Sequence, residues 1–99
     1  MPNKQTYEKK VEKKLYLFKW QIEALQILEE HAEESAQRNI SNQINFLKQK
    51  QKALEVKFQA FRETDGIVWQ EMKKGIDALE EDMMLSISKA HTEFIETIY

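Results

Sequence analysis

Between Asn3 and Asp65 the chain contains neither proline nor glycine; its only proline is Pro2, and its two glycines are Gly66 and Gly75. These residues interrupt helices at about 3 and about 1 kcal/mol respectively, so nothing local forbids a very long helix over that stretch. The apolar residues agree with this. Tyr7, Val11, Leu15, Phe18, Ile22 and Leu25 recur at steps of three or four, which places them on one helical face. Between Glu29 and Gln43 the stripe thins to Ala32, Ala36 and Ile40. It returns as Leu47, Leu54, Phe58 and Phe61, with Gln51 or Lys50 at the intervening position.

The clearest interruption is Thr64-Asp65-Gly66, two helix-capping residues followed by a glycine, and a chain reversal is expected there. A last helix then carries Val68, Met72, Ile76, Leu79, Met83, Ile87, Ala90, Phe94 and Ile98. From Ile76 its three-four-four spacing favours straight or slightly right-handed packing. Gly75 lies in mid-helix beside this stripe, where close approach by a neighbouring helix would compensate its cost. Close helix packing is therefore expected around Gly75 and Trp69. At the other end, Thr6 is the expected N-cap of the first helix, with Gln5 and Asn3 as further candidates.

The expected fold is all-α, a single domain with helix 6–63, turn 64–66 and helix 67–98. A first helix of that length extends on the order of 90 Å, about twice the last helix. Tyr7, Val11, Leu15, Phe18, Ile22 and Leu25 would then be left uncovered, exposing more apolar surface than soluble monomers usually carry. Two arrangements remove the difficulty. In one, a long antiparallel hairpin pairs with a second copy as an antiparallel coiled-coil-like dimer, with those six residues as the self-association interface. In the other, the chain breaks within 33–42 and closes as a compact three-helix bundle. Charge favours the dimer: counting Lys and Arg against Asp and Glu leaves +4 over residues 1–20, −5 over 21–34, +5 over 35–62 and −6 over 63–99. Two copies crossing near Trp20 set block 1–20 against block 21–34, while the other two blocks meet within each hairpin.

Trp20-Gln21-Ile22-Glu23-Ala24-Leu25, Gln43-Ile44 with Leu47 through Ala53, and above all Trp69-Gln70-Glu71-Met72-Lys73-Lys74-Gly75-Ile76-Asp77-Ala78-Leu79 resemble a group of small bacterial coiled-coil proteins often labelled stress-response proteins. The resemblance runs over nearly the whole chain. It implies an all-helical, stress-associated protein, brings no catalytic residues with it, and implies a helix continuing through the middle segment, where that group is richer in alanine.

The residues that could carry chemistry are sparse. With no cysteine there is no disulfide, thiol nucleophile or thiolate metal site, a composition that fits a cytoplasmic protein. His31 and His91 are the only histidines, and neither follows a carboxylate by three residues as a helical di-iron site requires. Asp77, Glu80, Glu81 and Asp82 spread around their helix rather than pairing for acid/base work. Helical geometry separates Lys50 from Lys48 and Lys52, and the alternating charge blocks argue against nucleic acid as a partner. No glycine-rich phosphate loop is present. Trp20 and Trp69 are expected at the margins of helix interfaces, and Met72, Met83 and Met84 as adaptable packing.

The expected function is accordingly non-enzymatic: a helical self-association or scaffold protein, without cofactor or metal, with a stress role implied by the resemblance. A homodimer is the expected assembly. The alternative is a peripheral protein resting on an anionic membrane, because Lys9, Lys10, Lys13 and Lys14 flank the apolar residues of the first helix. An enzyme or metal carrier ranks third.

Overall fold

Asn3 opens the first helix. Its Oδ1 accepts from the Thr6 amide at 2.8 Å and from the Thr6 hydroxyl at 2.9 Å, so Asn3 is the cap and Thr6 the residue it caps. The computed structural model describes residues 3–64 and 68–98. It contains α1 (Lys4–Glu30), α2 (Glu34–Arg62) and α3 (Trp69–Ile98). The expected reversal at Asp65-Gly66 and a helix start at Ile67 lie outside the described residues.

The continuous helix 6–63 is not what forms. The chain turns at residues 31–33, just ahead of and touching the segment considered for a break, and it does so without glycine or proline. Two causes act together. A helix running through this point would stack Glu29 on Glu33 and Glu30 on Glu34, like charges four residues apart that each destabilise by about 0.2–0.5 kcal/mol. Folding back also covers the apolar seam of α1, a far larger gain. The turn itself is economical in hydrogen bonds. The His31 and Ala32 amides donate to the Leu28 and Glu29 carbonyls at 3.1 Å, Glu33 adopts the extended backbone of an N-cap, and the Gln37 side-chain amide reaches the Glu29 carbonyl at 3.4 Å.

The three helices run up, down and up, each touching both others, in a body of 51 × 20 × 16 Å. This is the compact alternative, and it corrects the rod of about 90 Å. The core draws on all three helices: Tyr7, Val11, Phe18, Ile22 and Leu25 from α1; Ile40, Ile44, Leu47, Leu54, Phe58 and Phe61 from α2; Ile76, Met83, Ile87, Ala90 and Phe94 from α3. Leu15 packs against it half-buried. The self-association interface expected at Tyr7, Val11, Leu15, Phe18, Ile22 and Leu25 is thus the inner face of α1, covered by its own chain; Phe18 and Val11 have no exposed surface at all.

Two details of α3 also differ from expectation. Its buried positions are 76, 80, 83, 87, 90 and 94, alternating by four and three, so Glu80 occupies the place assigned to Leu79, and Val68 is exposed. The pattern is therefore a heptad one rather than an eleven-residue repeat. At Gly75 a Cβ would meet nothing within 4 Å, so no helix approaches closely there and the expected packing is absent. Trp69, by contrast, stacks edge-on against Phe61 with ring centres 6.0 Å apart, and Phe61 meets Tyr7 in the same manner at 5.2 Å. These aromatics join the start of α1, the end of α2 and the start of α3. The Lys4 ammonium closes that end by donating to the carbonyls of Arg62 and Thr64, at the negative end of the α2 dipole.

Candidate interaction surface

Polar groups first. Where α1 runs beside α3, the buried Tyr7 hydroxyl donates to Asp77 Oδ1 at 2.6 Å, with the Lys73 carbonyl at 3.3 Å as a second, weaker acceptor. Burial, then the bond to Asp77 and the charges of Asp77 and Glu80, push this phenol well above its ordinary range, so it stays neutral and acts as a donor. One and two turns further along, Glu80 is buried and its Oε2 lies 3.1 Å from the Lys14 ammonium. That oxygen makes no well-directed hydrogen bond, so the contact is ionic attraction rather than an aligned donor and acceptor. With Glu80 buried at the contact of the two helices, the cluster acts as a register lock between α1 and α3.

The remaining acidic residues diverge as expected. Asp82 leaves in the other direction to pair with Lys50 at 2.9 Å, and Glu81 is exposed. Lys48 and Lys52 are exposed while Lys50 bridges to α3. His31 and His91 are both exposed, and among the described residues no group of three or more His, Cys, Asp or Glu side chains could hold a metal ion. No described helix is long and apolar enough to cross a membrane.

The unusual surface is the outer face of α1. Tyr16 is 76 % exposed, Trp20 70 %, Ile27 57 % and Leu17 46 %, with Ala24 exposed between them. Steps of four, four and three from Tyr16 through Trp20 and Ala24 to Ile27 make this a second continuous stripe. It lies opposite the first: Trp20 is two residues from both Phe18 and Ile22, about 200° around a helix that turns 100° per residue. α1 therefore presents apolar side chains on both sides, the inner stripe covered and the outer one open. Trp20 and Ala24 also border a groove with Met84, Ser88 and His91 of α3, which widens the patch across the helix boundary.

The same stripe has charged ends. Lys9, Lys10 and Lys13 precede it, Glu23 and Glu30 flank its later half, and all five are exposed with no side-chain partner among the described residues. Exposed apolar residues outside this face include Leu85, next to Met84 on α3, and Val68 and Ile95. Phe46 and Val56 stand ten positions apart on α2, and the Lys50 ammonium covers the Phe46 ring at 4.8 Å. Isolated cases of this kind are ordinary for protein surfaces.

The residues first expected to carry association are thus interior, and Tyr16, Leu17, Trp20, Ala24 and Ile27 were missed. The signal was present. Placing Trp20 at the margin of an interface conflicts with its two-residue offset from two core positions. Comparison with family models, with curated proteins and with solved structures finds no match to this chain.

Proposed function

We propose that the protein is a non-enzymatic helical interaction protein whose contact surface is the outer face of α1. The observation that carries this reading is the open stripe Tyr16, Leu17, Trp20, Ala24 and Ile27 on a helix already satisfied on its inner side. Packing does not require those side chains, and an exposed tryptophan and tyrosine on one rigid helix are the residue types that dominate protein contacts. The polar cluster of Tyr7, Asp77, Lys14 and Glu80 supports a scaffold role by holding α1 in register behind that surface. A stress-associated role is supported by the sequence resemblance alone, and measurement of the protein's abundance before and after heat or osmotic shock tests it.

A photo-reactive amino acid at Ile27 tests the surface in living cells. Protein adducts from Ile27, and none from Gln49 on the outer side of α2, are the expected result; equal labelling or none at both positions removes the reading. A second reading has its own support, because Lys9 and Lys13 lie on the same outer face as Tyr16 and Trp20, an arrangement that suits an anionic membrane surface. Flotation with anionic but not neutral vesicles tests it.

A further inference from the structure

Resting on the surface reading above, we infer that the occupant of the α1 outer face is a second copy of this chain, packed antiparallel so that two α1 helices lie back to back. Three observations converge on it. The stripe is continuous along a single unbroken helix, the geometry that a partner helix fits. Its charge is polarised along its length, with exposed Lys9, Lys10 and Lys13 before the apolar residues and exposed Glu23 and Glu30 beside and after them. None of the five has a side-chain partner among the described residues.

A two-fold interface requires a surface that complements itself, residue i meeting j while j meets i. In a parallel pair, lysine would meet lysine and glutamate would meet glutamate. Reversing one helix brings each basic end to an acidic end. With the two-fold axis at Ile22, Leu17 comes level with Ile27 and Trp20 with Ala24, a large side chain against a small one, while Lys13 falls within one residue of Glu30. Such charge pairs select orientation, and the apolar stripe supplies affinity.

The area suffices for a weak dimer. At 76 %, 46 %, 70 % and 57 % exposure, Tyr16, Leu17, Trp20 and Ile27 offer about 500 Å² per copy, taking aromatic side chains at about 150–250 Å² each. Two copies cover at most about 1,000 Å², the floor for a specific interface and within the range of weak, transient ones. The expected dimer is therefore reversible.

The test is sedimentation equilibrium of the full chain across a concentration series. Wild type is expected to approach twice 11.8 kDa, and Trp20→Glu to weaken dimerisation by at least about 30-fold with an unchanged helical circular dichroism spectrum. Ile27→Glu serves as a second variant of the same kind. A Lys13→Glu variant and a Glu30→Lys variant should each dimerise less well alone and recover the double mass when mixed. A chain that stays at 11.8 kDa throughout, a dimer indifferent to Trp20→Glu, or charge variants that fail to rescue each other overturns the inference. If such a monomeric chain still gives Ile27 adducts with a different protein, the surface reading stands while the second copy falls. If the monomer instead floats with anionic vesicles, the occupant is a membrane and the inference is overturned.

Discussion

Replacing Glu80 by leucine should make the protein more stable, although it deletes a buried ion pair. The Glu80 side chain is only 3 % exposed and stands at a core position of α3, between Ile76 and Met83. A leucine of similar volume and equal helix propensity there gains about 1.5–3 kcal/mol of apolar burial. What is lost is the attraction to Lys14, whose side chain is 34 % exposed. Solvent screens that pair toward the range of about 0–1 kcal/mol, and the freed ammonium can turn to water. The cost of holding a carboxylate away from water disappears as well. A net gain of about 1–2 kcal/mol follows, which at about 4–8 °C per kcal/mol raises the thermal midpoint by roughly 5–15 °C. Melting followed by circular dichroism at 222 nm, with urea denaturation alongside, measures it. Lys14→Met is the informative contrast: it strands the buried carboxylate and should lower stability by about 1–3 kcal/mol, an effect abolished in the background of Glu80→Leu. A fall in midpoint for Glu80→Leu refutes the reasoning and makes the pair a net stabiliser of the bundle.

The other expected outcomes are smaller. Gly75→Ala, at an exposed mid-helix position where a Cβ meets nothing within 4 Å, should add about 0.5–1 kcal/mol in urea denaturation; a loss would reveal a close contact. Glu33 caps α2 with an extended backbone and makes no side-chain cap bond, so Glu33→Ser should stabilise by about 0.5–1 kcal/mol by the same measure. Tyr7 gives a pH signature. Because its phenol is raised in the folded state, its stabilising contribution is complete below the free value of about 10 and is lost as pH climbs beyond it. The difference in urea midpoint between wild type and Tyr7→Phe should hold constant to about pH 10 and shrink above, and a change at pH 7–9 would contradict the assignment.

Much of the fold was legible because helices are local. The absence of proline and glycine, the three-and-four spacing on α2 and α3, and the inner stripe of α1 all follow from backbone propensity and periodicity within a few turns. So did the core: Tyr7, Val11, Phe18, Ile22 and Leu25 are apolar at core spacing whatever covers them. The candidate surface was legible in part. Tyr16, Leu17, Trp20, Ala24 and Ile27 form a stripe by count alone, yet a second stripe on a helix that already has one looks like noise until the first is seen to be covered.

Which partner covers the inner stripe was a tertiary question. A continuous helix with a second chain and a broken helix folding on itself bury the same residues against similar neighbours, and both bring charge blocks of opposite sign together. The choice turned on a three-residue turn at 31–33 that carries no strong breaker. There, four glutamates repel along a straight helix, and the entropy of closing a short loop within one chain is small beside the cost of bringing a second chain to the seam. Glu80 was decided in the same way, since only the nearness of Lys14 on α1 makes a carboxylate tolerable at a core position. Sequence by itself determined where helix can form and which faces are greasy; the packing of the three helices decided which greasy face is spent inside the molecule and which is left to meet something else.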